Sequence, residues 1–134
     1  MLTLHVDGHE NITEELVEHL VNILGLDDFE GSLTVVESDY CSDAIGQCYH
    51  DGKDVVVEVG IAHDETKEDA LVTLCHEMIH AYQILSGRLQ IGFQFHRWDD
   101  TLYSVDTPYL ECPWEEQAIG AERCLYNELM TTIN

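Results

Sequence analysis

His76-Glu77-Met78-Ile79-His80 lies inside an apolar run, residues 70–85, that holds neither proline nor glycine and has the periodicity of a buried helix. Each residue of a helix advances about 100°, so His76 and His80, four positions apart, share one face at a spacing that suits one tetrahedral zinc ion. Glu77 is turned about a quarter of a circle away. From there it reaches a water beside the metal without being a ligand, which is the position of a general base. Leu71, Leu74, Met78, Ala81, Tyr82 and Leu85 fall on the opposite side, with Asp69, Thr73 and Gln83 on the histidine side. This divides the helix into a core face and a working face. Thr66, with Asp69 three residues on, makes a capping-box start, and Gly87 is the stop signal.

A hydrolytic zinc site takes three protein ligands and leaves one position open to water, so the histidine pair needs a partner. His96, Glu111, Glu115, Glu116 and Glu122 are the candidates. A last helix begins at Pro113 or Trp114, and along it Glu115, Ala118, Ile119, Glu122, Leu125, Tyr126 and Leu129 form one stripe. Glu116 shares the other side with Arg123 and Asn127. A carboxylate facing a core is costly unless it is protonated, paired or bound to a cation, which favours Glu115 as third ligand. Glu116 and His96 remain the alternatives. Glu122, on the same stripe, is placed to accept the free N–H of a ligating histidine or to stand as a rim carboxylate.

Outward from the motif, residues 2–6 alternate as a strand does, and Asn11 or Thr13 opens an amphipathic helix closed by Gly25. Residues 32–37 form a β-branched strand, and residues 44–49 and 54–61 flank the turn residues Asp51 and Gly52 as a hairpin. A long irregular stretch, residues 87–112, separates the motif helix from the last one, and a loop of that length is usually functional. Trp98, Trp114, Phe93 and Phe95 read as core and loop packing. The fold class is α+β, in one domain spanning residues 1–134.

A net charge of −22, from 27 acidic against 5 basic residues, argues against nucleic-acid or anionic-membrane binding and for cationic or neutral partners. The same surplus describes a solvated surface suited to a salty setting. Asp99 and Asp100 beside Trp98 are consistent with a basic polypeptide partner. No secretory signal and no membrane span is visible. Cys41, Cys48, Cys75, Cys112 and Cys124 make an odd, scattered set, read as reduced, packed thiols of a cytoplasmic protein, although Cys41 and Cys48 could bridge a hairpin or share a second metal.

The stretch Leu74-Cys75-His76-Glu77-Met78-Ile79-His80-Ala81-Tyr82, followed by Pro113-Trp114-Glu115-Glu116-Gln117-Ala118, resembles the small gluzincin metallopeptidases. The resemblance covers about residues 30–130 in element order, and these two motifs are its specific part. It implies a minimal zincin-like domain: an N-terminal helix, a small mixed sheet, the motif helix and a C-terminal helix. It also maps a Glu-x-x-Ala ligand pattern onto Glu115 and Ala118. Ile119 stands where relatives often carry Asp or Asn. The motif helix is also similar to SprT-like proteases, whose third ligand is a histidine, but no basic DNA-binding segment follows here.

The implied activity is zinc-dependent hydrolysis of peptide bonds, with Zn²⁺ on His76, His80 and Glu115 and with Glu77 as general base. Tyr103, Tyr109, His96 and Arg97 are the available oxyanion donors. In the zincin arrangement an edge strand pairs with extended substrate, and residues 44–49 are the candidate. Two other readings stand beside it: a non-catalytic zinc-stabilised interaction or regulatory module, such as a virion component, and a protease acting once, on itself or on one regulator. Glu77 argues against the module, because a structural zinc site needs no base.

Overall fold

The computed structural model describes residues 1–38, 45–60 and 66–133. Period-two alternation builds its first sheet. Strand β1 (Leu2–Asp7) leads through helix α1 (Glu14–Leu24) to β2 (Gly31–Ser38), and the hairpin of β3 (Gly46–Asp51) and β4 (Asp54–Gly60) completes it. The order is β1-β2-β4-β3, with β1, β2 and β4 parallel and β3 antiparallel at one edge. The β2–β4 register sets Leu33 beside Val55 and Val35 beside Val57, all fully buried. Each such side chain contributes roughly 1.5–3 kcal/mol when removed from water.

Thr13 caps α1 by accepting the Leu16 N–H, and Gly25 ends the helix with φ 68°, a left-handed conformation that suits glycine. Helix α2 (Lys67–Leu85) starts at the capping box of Thr66 and Asp69, both bonds of which are formed. Gly87, at φ 84°, ends it by donating to the Ile84 carbonyl at 3.0 Å. Helix α3 (Pro113–Ile133) packs against both α2 and α1. That contact revises the two-faced reading of α2. Gln83, on the expected working face, has no exposed surface, so α2 is enclosed nearly all round. The architecture is thus α+β with a small mixed sheet, and no helix among the described residues is long and apolar enough to cross a membrane.

The stretch between α2 and α3 is not irregular. It holds a three-stranded antiparallel sheet of β5 (Leu89–Gln90), β6 (Phe95–Trp98) and β7 (Thr101–Ser104). The β6–β7 turn is made by Asp99 and Asp100, with Asp99 at φ 52°, and Arg88 neutralises Asp99 through two contacts of 3.1 and 3.3 Å. Strands this short show no alternation long enough to read. The β3–β4 turn is Gly52-Lys53, one residue later than the expected pair. Residue 44, residue 61 and Cys41 lie outside the described residues. Cys48, Cys75, Cys112 and Cys124 are free thiols, but Cys124 is exposed rather than packed. Trp114 is buried as expected, whereas Phe93 and Phe95 are exposed.

The buried face of β2 carries one acid. Glu37, in register with Val59, is 4% exposed. Its Oε1 accepts the backbone N–H groups of His9, Asn11 and Ile12 at 2.9, 3.0 and 2.9 Å, which ties the β1–α1 connection to the sheet. Burial opposes ionisation, but the amides of Ile12, Asn11 and His9 outweigh it and hold the carboxyl below its ordinary value. A depressed pKa contributes stability that is complete above the unfolded value and lost as pH falls through the folded one. Glu37→Gln, which sets an NH₂ against those amides, should cost on the order of 2–3 kcal/mol at pH 7 by urea denaturation. The difference between the two proteins should shrink as pH falls below about 4.5.

Candidate metal centre

Residues from two helices meet at one point. His76 and His80 project from the middle of α2, with ring centroids 4.8 Å apart and planes at 83°. Glu115 enters from the first turn of α3. Its Oε1 lies 3.0 Å from His76 Nε2 and 2.9 Å from His80 Nε2, and the two nitrogens are 3.2 Å apart. A tetrahedral ion with ligand distances of about 2.0–2.1 Å has ligand–ligand edges of roughly 3.4 Å. The observed triangle is slightly tighter than that.

The protons of the imidazoles follow from their outer partners. Gln83 Nε2 donates to the Trp114 carbonyl at 3.0 Å and to Gln117 Oε1 at 2.8 Å. A backbone carbonyl only accepts, so the amide oxygen of Gln83 faces His80, and His80 Nδ1–H donates to it at 2.8 Å. Neutral His80 therefore turns a bare Nε2 toward the centre. His76 Nδ1 lies 3.4 Å from Glu122 Oε1, which favours the same tautomer. Two nitrogen lone pairs and a carboxylate oxygen then converge, an arrangement that demands a positive charge.

The titration behaviour expresses the same demand. Burial disfavours charge on His76, yet the hydrogen bond to Glu115 and the charges of Glu77, Glu115 and Glu122 raise its pKa. Without a metal a proton takes the cation's place: burial pushes the Glu115 carboxyl up, but His76 and His80, bonding it through a protonated Nε2, hold it at about 2. A proton or a metal cation answers this demand, and the three donors fit a divalent ion.

What aims Glu115 is its neighbour Trp114. Pro113 occupies the first helical position, and the Trp114 ring is held by His96, Tyr103 and Trp98 at centroid distances of 5.5, 5.5 and 6.3 Å. The second sheet is thus the clamp that orients α3. His96 is spent on that clamp and takes no part in the triangle, and Glu116 points to solvent. Ile119, expected on the buried stripe, is 42% exposed. Glu122 does meet a histidine, while the support of His80 comes from Gln83. Gln83 lies on the histidine face, as its place in the sequence indicates, but nothing in the sequence shows its bond to His80.

The triangle opens into a cavity of about 240 Å³ lined in part by Gly46, Cys48, Glu77, Tyr109 and Trp114. Glu77 is 6% exposed, and its Oε2 has no hydrogen-bond partner among the described residues. Burial raises its pKa, His80 and His76 oppose this, and Glu115 and Glu122 reinforce it. Gly46 lets the β3 edge pass directly over this residue. A Cβ there would lie 2.6 Å from Thr73 Cγ2 and 3.2 Å from Glu77 Cγ. Tyr109, in the turn before α3, sets its hydroxyl 3.5 Å from His76 Nε2. Burial and the Glu115 charge push that phenol up, so it is a proton donor at neutral pH. Tyr103 lies against Trp114, and Arg97 lines a neighbouring pocket instead.

No family model matches the chain, and comparison with curated proteins and with solved structures finds no similar protein.

Metal analysis of purified protein should separate the ligands. Glu115→Gln should lose bound metal, and Glu116→Gln should keep it. Gln83→Leu should weaken metal affinity by about 10- to 100-fold, because His80 is no longer held in its tautomer.

Proposed function

We propose that the protein is a zinc-dependent metallopeptidase with a small zincin-like domain. One observation carries the reading: Glu77, whose buried Oε2 has no hydrogen-bond partner among the described residues, lines the same cavity as the three metal-binding donors. A purely structural site would have no use for such a base, which argues against the non-catalytic module. The gluzincin resemblance agrees in taking its third ligand from the helix after the motif helix.

His76, His80 and Glu115 would hold Zn²⁺, which when bound polarises a carbonyl and lowers the pKa of water. The chain's own groups do the rest. Glu77 accepts a proton from the attacking water, and its raised pKa suits it to pass that proton to the leaving amine. Tyr109 donates its hydroxyl hydrogen to the carbonyl oxygen as negative charge develops there. Gln83 and Glu122 keep His80 and His76 from turning. Gly46, Gln47 and Cys48 of β3 form one wall of the cavity, and β3 is an edge strand whose outer side pairs with no strand among the described residues, which suits an extended peptide.

Incubation of the zinc-loaded protein with a degenerate peptide mixture, read by mass spectrometry, tests the proposal. Cleavage should appear with wild type and vanish with Glu77→Gln although zinc remains bound. Cleavage that survives this substitution, or its absence with every polypeptide tried, rejects the reading. Once a substrate is in hand, Tyr109→Phe should lower kcat by roughly 10²- to 10³-fold with little change in KM.

A further inference from the structure

Beside the metal centre lies a second and larger pocket of about 440 Å³. The two share Leu89 and Ile91 as a common wall. Both also run along β3, the first at Gly46, Gln47 and Cys48 and the second at His50 and Asp51, about two residues or roughly 7 Å further on. His50 joins the two sheets there. Its Nδ1–H donates to the Gly52 carbonyl at 3.0 Å, and its Nε2 accepts the Ile91 N–H at 3.1 Å, so it is a neutral strut.

The pocket gathers two of the chain's five basic residues. Only 5 residues are Lys or Arg against 27 acids, yet Lys53 and Arg97 both line it. The other two arginines are committed, Arg88 to Asp99 and Arg123 to Glu68. Among the described residues Arg97 has no acidic partner. Its cross-strand neighbours are Gln90 and Leu102, and Asp51, which borders the pocket, forms no ion pair with it. Lys53 donates to the Leu85 carbonyl at 2.9 Å and so serves the end of α2, with two N–H groups to spare. Ile84, Leu89 and Ile91 supply apolar walls that strengthen a charge contact made between them. An unpaired guanidinium in a concave site, on so acidic a molecule, is a fork for a planar anion.

We propose that this pocket binds a carboxylate of the substrate, two or three residues from the cleaved bond, through Arg97 with Lys53 assisting. The substrate class is then polypeptides bearing an acidic side chain or a free C-terminus at that distance. It departs from the expectation of a basic substrate, part of whose sequence basis, Asp99, is paired with Arg88. The assignment rests on the peptidase reading for its meaning, but the binding itself does not require the metal.

Fluorescence anisotropy at low ionic strength with three labelled oligoalanine peptides tests it. One probe is blocked at both ends and neutral, one is blocked with a single internal Glu, and one is neutral with a free C-terminal carboxylate. Each is titrated against the chelated wild-type chain and against zinc-loaded Glu77→Gln, which leaves the probes whole. At least one carboxylate probe should bind tenfold or more tightly than the neutral one, against the repulsion of the overall charge. The probe preferred identifies the source of the carboxylate. Arg97→Gln should abolish the preference, and Arg97→Glu should transfer it to a probe with an internal Lys. Equal binding of all three probes, no binding by any, or a preference that persists in Arg97→Gln overturns the proposal. A carboxylate preference in a chain that takes up no metal would reject the peptidase reading and leave the pocket standing.

Discussion

The electron pairs of His76, His80 and Glu115 point at one another across 2.9 to 3.2 Å, and the structure is organised around tolerating that arrangement. Like-facing acceptors this close are stable only with a cation among them. Their mutual position is set by the packing of α3 on α2, and the buried amide of Gln83 is the pin between these helices. It holds the Trp114 carbonyl with one end and His80 with the other. The meeting of the two helices and the tautomer of His80 are thereby linked through one fully buried side chain.

Around that pin the two sheets divide the work. The first supplies a buried face for α2 and, through Gly46, a strand edge close enough to Glu77 to enclose it. The second is too small to have a core of its own and packs Trp98 and Tyr103 on Trp114, so that the first turn of α3 is presented at one angle. Arg88 lies 4.5 Å over Trp98 while it bonds Asp99, which ties the clamp to the end of α2.

What could be read from the sequence follows the range of the interactions. The start and stop of α2, the cap of α1 and the β3–β4 hairpin are written in residues within a few positions of one another, and they were legible, the hairpin turn to within one residue and the cap as one of two candidates. So was Glu115, because a carboxylate on a buried helical stripe contradicts its surroundings. The β5–β7 sheet was hidden by strands of two to four residues and by a turn made from two aspartates instead of glycine. Gln83 and Glu37 were opaque for a common reason. Glu37 bonds backbone groups 25 to 28 residues away, and Gln83, besides two side chains, bonds a backbone carbonyl 31 residues away; backbone groups have no letter in a sequence.

The separation of the ligands along the chain also bears on how the molecule becomes ordered. His80 and Glu115 stand 35 residues apart, and the intervening chain holds the end of α2, the small second sheet and the turn before α3. An ion bound at the centre acts on the unfolded ensemble as a cross-link does, by closing that loop. In the chain-entropy description a closure of this length removes freedom equivalent to about 4 kcal/mol. For a chain of 134 residues whose own charges repel one another, that tether is comparable to a large part of the whole margin of stability. An ion held there would thus also be a topological fastener, and the second sheet is the segment it would fasten.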